Sequence, residues 1–182
     1  MGKEICKSAK LAYFLKKEKL LTRKGLIEQV GMDFVASKLE IRKATRRELY
    51  SITVLTRKFF PYTGFNMQMI EKRLRNRKIQ YLVALYDKFT VGFVDFKENE
   101  KSIKILGLAV LPEFQRKGIG KKLLTAAINF AREKKKEIIY LLLSNENFPA
   151  SKLYEKLGFT IRGKLERRIW DQEILLLQKK MI

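Results

Sequence analysis

Two short segments hold residues suited to anion binding and proton transfer. The first runs Leu108-Ala109-Val110-Leu111-Pro112-Glu113-Phe114-Gln115-Arg116-Lys117-Gly118-Ile119-Gly120, with Lys121 and Lys122 next. The apolar residues before Pro112 read as a strand end. Ile119, Leu123, Ala127 and Phe130 then recur at helical spacing, so a helix covers about Gly118 to Lys135. A strand thus passes to a helix through a loop with two glycines. First-turn amides of a helix have no internal acceptor and carry the positive end of its dipole. Gly118 and Gly120 remove side chains where backbone must approach a ligand. Such an end binds a pyrophosphate, and Arg116, Lys117, Lys121 and Lys122 add neutralising charge. The loop has neither the Gly-Lys-Ser/Thr ending of a P-loop nor a third dinucleotide-type glycine. Taken alone, the glycines fit relief of crowding at a helix entry as well.

The second segment is Asn147-Phe148-Pro149-Ala150-Ser151-Lys152-Leu153-Tyr154-Glu155-Lys156-Leu157-Gly158-Phe159. Pro149 suits a first helical turn, and Gly158 suits a C-terminal cap before a strand. Ala150, Leu153 and Leu157 give that helix a packing face. Read by itself, Tyr154 is an amphipathic residue near a helix end.

What the chain lacks narrows the chemistry. It has 182 residues and no histidine, which excludes Ser-His-Asp and Cys-His catalysis and makes a metal centre unexpected. Proton transfer falls to Tyr, Asp, Glu, Lys, Cys6 or water. A single cysteine, Cys6, permits no internal disulfide and fits a reducing cytoplasm. Against 19 Asp+Glu stand 40 Lys+Arg, a formal net charge of +21. That field draws polyanions: nucleic acid, acidic protein tails, anionic membranes or a phosphorylated cofactor. A solvated lysine-rich surface explains it equally. No apolar run approaches the ~18 residues of a membrane span, and no signal peptide is read at the N-terminus.

Residues 1–37 stand apart as a basic, helical extension: Ile5, Ala9, Ala12 and Leu20 recur among lysines until Gly25 and Gly31 break the pattern. The main domain covers 38–182. Its first strand lies at 38–42, and Thr45 caps a helix through about Lys58. The loop carrying Phe59, Phe60, Tyr62 and Phe65 leads to a second helix. Met67, Ile70 and Leu74 share one face of that helix, with Lys72, Arg73, Arg75, Arg77 and Lys78 elsewhere. Strands follow near 79–86, 90–98 and 102–111, the first two joined at Asp87-Lys88. The helix from Gly118 precedes a strand at 138–143, a short helix at 149–156, and strands near 159–165 and 169–178. The runs Ile138 to Leu143 and Ile174 to Leu177 read as buried strands. The fold class is α/β, or α+β: a mixed sheet with helices packed on it.

In this order, Q-R-K-G-I-G and N-x-x-A-x-x-L-Y-E-K-L-G-F resemble the acetyl-CoA pyrophosphate loop and the downstream segment of the GNAT N-acetyltransferases. The resemblance covers roughly 38–180 and is strongest over 105–160. It implies a mostly antiparallel sheet in which the strands at Leu108 to Leu111 and Ile138 to Leu143 run parallel and splay. Acetyl-CoA would lie in that cleft, its arm bonded to backbone at Leu108, Ala109 and Val110. The amides of Gln115, Arg116, Lys117, Gly118, Ile119 and Gly120, with Lys121, would hold the pyrophosphate. Asn147 would contact the arm. Tyr154 would stand at the thioester sulfur as the acid for the leaving thiolate. A backbone N–H of the splayed strand would receive the oxyanion. The acceptor amine, a protein N-terminus or a lysine, would attack directly in a ternary complex. A small-molecule amine is the alternative, as is a basic nucleic-acid-associated protein with a degenerate domain. Glutamates that relatives carry are replaced by Lys104 and Leu142. The base is then one of Asp95, Glu98, Glu146, Asp171 and Glu173, or water, or an amine already neutral. The aromatic loop falls where relatives line the acceptor pocket, although core packing explains it as well. Monomer and homodimer both fit.

Overall fold

The computed structural model describes residues 39–169 and 171–181. The basic extension 1–37, Cys6 included, lies outside the described residues. The chain runs β1 (Leu39–Lys43), α1 (Leu49–Phe59), α2 (Met67–Arg75), β2 (Ile79–Tyr86), β3 (Phe89–Glu98), β4 (Ser102–Val110), α3 (Ile119–Glu133), β5 (Ile138–Ser144), α4 (Phe148–Lys156), β6 (Thr160–Lys164) and β7 (Ile174–Lys180). The strands form one seven-stranded sheet in the order β1-β2-β3-β4-β5-β7-β6. Only β4 and β5 run parallel; every other neighbouring pair is antiparallel.

Side-chain alternation divides the core in two. On one face Val94, Phe96, Ile103, Ile105, Val110, Ile139, Leu141 and Leu177 meet α3 and α4. On the other Tyr81, Val83, Leu85, Phe93 and Ala109 meet α1 and α2. The α3 stripe behaves as its spacing predicts: Ile119, Leu123 and Ala127 are buried, and Phe130 packs on Phe96 with ring centroids 5.1 Å apart. Thr45 caps as expected, in a reciprocal box with Glu48 (Thr45 N to Glu48 Oε2, 2.7 Å), and Arg42 pairs with the same carboxylate at 2.8 Å. The first turn after this cap is 3-10, and the α-helix starts at Leu49. The β2–β3 hairpin turns on Asp87 (φ 47°) and Lys88 (φ 71°), the two left-handed residues a type I′ turn requires.

Two strands depart from the sequence reading. The run Ile138 to Leu143 alternates: Ile139, Leu141 and Leu143 are buried, while Leu142 is 37% exposed. In β7 only Leu177 is buried. The reason is that, among the described residues, α1 and α2 cover β2, β3 and β4 but not the same face of β5, β7 and β6. The last strand also begins at Ile174 rather than near 169, after a turn in which Ile169 and Gln172 make an isolated bridge.

Candidate active site

The parallel pair is short. Ser102, Ile103 and Lys104 pair with Ile138, Ile139 and Tyr140, and pairing stops there. Beyond that point β5 continues against β7 to Ser144, while β4 continues against β3 to Val110. A bulge parts them. The β3–β4 register passes from Phe96↔Ile105 to Asp95↔Gly107, which leaves Leu106 extra. The parity of β4 flips with it. Ile103 and Ile105 face α3 before the bulge, and Leu108 and Val110 face it afterwards. Past the bulge β4 therefore has no strand partner on its β5 side among the described residues, and the two strands diverge into a cleft.

The loop after β4 closes one end of this cleft. Gln115 folds back, its Nε2 donating to the Val110 carbonyl at 2.9 Å. Arg116 (φ 59°) and Gly118 (φ 78°) are left-handed, the kind of backbone that gathers successive N–H groups into an anion-binding concavity. Helix α3, 15 residues long, then begins with no side-chain cap and no acid in its first turn. Arg116 and Lys121 are exposed, and Lys117 lies 5.6 Å above the Phe114 ring. The two glycines differ in role. A Cβ on Gly118 would meet open space, whereas one on Gly120 would lie 3.4 Å from Leu153 Cδ2 and 3.8 Å from Leu108 Cδ2. Gly120 thus lets α3 settle onto β4 and α4, and only Gly118 bares backbone outward. Ile119 and Ala109 send their side chains into the core and offer a ligand only backbone.

On the far wall, Asn147 caps α4, its Oδ1 accepting from Ala150 N at 3.3 Å, so its amide nitrogen is the atom left for other contacts. Tyr154 is 5% exposed and packs edge-on against Phe159 at 5.5 Å. Its hydroxyl has no hydrogen-bond partner among the described residues. Burial pushes the phenol well above its usual range, which keeps it protonated at neutral pH.

Across β4, on the α1 side, lies a pocket of about 220 Å³. Phe60, Tyr62, Phe65 and Phe93 wall it, and Leu106 and Gly107 of the bulge form one edge. Its floor is charged. Asp95, 5% exposed, pairs with Arg73 through Oδ2, and Arg73 Nε donates to Tyr81 Oη at 2.7 Å. Arg73 also stacks on Phe65, 4.9 Å from the ring centroid. Thr56, 4% exposed, adds a hydroxyl that has no hydrogen-bond partner among the described residues. Burial lifts the Asp95 carboxyl to about 6, against the opposing pull of the Arg73 guanidinium. The pocket sorts the five carboxylates read as bases. Glu98 pairs with Lys136 at 2.9 Å and Glu173 with Lys164 at 3.1 Å. Glu146 accepts from Gln172 Nε2 at 2.8 Å, and Asp171 is exposed. Only Asp95 lines the pocket.

Sequence reasoning placed Arg73 with the solvated charges of its helix; it points inward instead. It also missed Thr56, Tyr81 and the bulge. The lone carboxylate in Val91-Gly92-Phe93-Val94-Asp95-Phe96 and the adjacent apolar pair Ile105-Leu106 were the available signals.

An uncapped helix, a concave loop, four nearby cations and an unpaired strand edge suit an extended group with phosphates at one end. The comparisons agree. The model of the acetyltransferase (GNAT) family matches residues 43–159, so the chain belongs to that family. It is an acyltransferase, and acetyl-CoA is its acetyl donor. An N-alpha-acetyltransferase of Saccharolobus solfataricus is 28% identical over 142 residues, covering 71% of this chain and 81% of that protein. Ard1 of Thermoplasma volcanium superposes with a TM-score of 0.71 at 21% identity, over 79% of this chain and 98% of that one. Arabidopsis thaliana NAA60 in complex with acetyl-CoA gives 0.70 at 19% identity, over 79% and 99%. At such identities these two likenesses speak to the fold. Among the described residues no helix is long and apolar enough to cross a membrane, and no cluster of side chains could hold a metal.

Replacing Gly118 by Val forces a β-branched residue into left-handed backbone. We expect acetyl-CoA affinity to fall by about tenfold or more, a loss of roughly 1.4 kcal/mol. Calorimetric titration, with the unfolding temperature measured alongside, reads this out.

Proposed function

We propose that this chain acetylates the α-amine of peptide or protein N-termini. The observation that carries the reading is the aromatic-walled pocket that opens beside the β4 bulge, on the side of the sheet away from the α3 loop. It can take one side chain and present the adjoining amine at the strand edge. The N-alpha-acetyltransferase of Saccharolobus solfataricus supports the same acceptor class.

When bound, the donor supplies an acetyl thioester. In this reading the amides of Gln115 to Gly120, with Lys121, bind its phosphates. Backbone groups of Leu108, Ala109 and Val110 align the arm, and the Asn147 amide nitrogen contacts it. One N–H of the unpaired β4 edge stabilises the oxyanion. Tyr154 holds its proton and delivers it to the departing sulfur.

A peptide panel tests the acceptor class. Each peptide carries a free α-amine and one internal lysine, the first residue is varied, and spermidine is included. Mass spectrometry of the products should find the acetyl group on the α-amine, with a preference among first residues. Acetyl groups confined to lysine side chains or to spermidine would overturn the reading.

A further inference from the structure

The structure lacks the glutamates that relatives use, yet it gathers an alternative around the acceptor pocket. We infer that Asp95 takes the proton from the acceptor amine, and that the Thr56 hydroxyl holds the ammonium beside it. This rests on the N-terminal acetylation reading and names the base of that same site.

The geometry is specific. Asp95 sits on β3 directly opposite Gly107, at the bulge where β4 leaves its partner. A Cβ on Gly107 would stand 2.7 Å from Asp95 Oδ1, so the missing side chain is what brings that oxygen up to the strand edge. Arg73 holds Oδ2 and the Tyr81 hydroxyl also bonds the carboxylate, while Oδ1 stands beside Gly107 at the pocket edge. Thr56 of the same pocket has a buried Oγ1 without a partner among the described residues, although a buried hydroxyl ordinarily finds a hydrogen bond. With the first side chain in the pocket, an ammonium at its Gly107 edge meets one carboxylate oxygen and the Thr56 hydroxyl beside the Phe60 ring, while the Arg73 charge is taken up by Asp95 Oδ2. Carboxylate, hydroxyl and ring all attract a cation.

The step balances. An N–H bond of the ammonium breaks and an O–H bond forms on Asp95, so the nitrogen lone pair is freed for attack. The Asp95 proton leaves to solvent once the product departs. Groups that titrate and face Asp95 among the described residues are Arg73 from α2, Tyr81 from β2 and Tyr62 from the turn after α1. From β4 come Leu106 and Gly107, and from α1 Thr56, none of which titrates. An α-amine has a pKa of about 8, so its proton moves to a carboxyl at about 6 against roughly a hundredfold equilibrium. A lysine amine at about 10.4 would face more than ten-thousandfold. The base therefore suits α-amines.

The test is kcat/KM between about pH 5 and 9.5, for the wild-type chain and for Asp95→Asn. The acceptor is a lysine-free peptide with an open N-terminus. Wild type should rise through about 6 as Asp95 ionises and fall above about 8 as the acceptor loses its ammonium form. Asp95→Asn should lose the limb near 6, drop by about a hundredfold at neutral pH and climb through about 8. Thr56→Val forfeits no existing bond. It should raise the acceptor KM by about tenfold with both limbs in place. An Asp95→Asn profile parallel to wild type at every pH overturns the assignment, because a merely structural loss scales all points alike. Should Asp95→Asn fail to fold, a wild-type profile without a limb near 6 overturns it equally. Wild type that releases no thiol with any α-amine peptide overturns the acceptor reading itself.

Discussion

Tyr154→Phe is expected to lower kcat by about a hundredfold or more while leaving stability within about 0.5 kcal/mol of wild type. The two effects separate because the hydroxyl has no hydrogen bond within the described fold, whereas the ring fills the α4 side of the core against Phe159. Removing the oxygen keeps the packing and deletes only the proton. Acetyl-CoA affinity should change little, since the proposed phosphate site lies at the α3 loop, away from α4. Steady-state thiol release beside urea unfolding checks both halves. Equal kcat in the variant would leave the leaving sulfur to water. A large loss of stability would make Tyr154 a packing residue.

The second large effect concerns the pocket floor. Arg73→Met should cost about 3–5 kcal/mol in urea unfolding, because it strands the buried Asp95 carboxylate without its partner. Adding Asp95→Val should recover most of that stability, since a buried ion pair replaced by apolar residues of similar volume is close to neutral. Activity should not return with it. That divergence would show the pair to be kept for chemistry. If the double variant regains both stability and turnover, Arg73 and Asp95 serve the fold alone.

The sequence displayed the loop-and-helix elements around Gly118 far better than the pocket beside the bulge. Gly118, the strand that precedes it and the periodic stripe of α3 are local features, and local features survive in a linear reading. Asn147 and Gly120 were placed in the right segments, but their local roles are set by neighbours: Asn147 caps α4, and Gly120 fits against Leu153 and Leu108. The pocket beside the bulge is assembled from α1, α2, β2, β3 and β4, whose residues lie as far apart in sequence as Thr56 and Gly107. No spacing rule joins Arg73 to Asp95. What could have been seen is a conflict of periods. Ile103 and Ile105 share one face with Leu108 and Val110, which a regular strand forbids. That no described helix covers the outer face of β5 and β7 was hidden for a related reason. An apolar run does not disclose whether a helix covers one side or both.

The most direct measurement is thiol release from acetyl-CoA by the full chain with two peptides of matched length. One has a free α-amine and no lysine; the other has a blocked N-terminus and one internal lysine. Turnover with the first and little or none with the second is expected. Turnover with the second alone, or with neither, would contradict acetylation of α-amines.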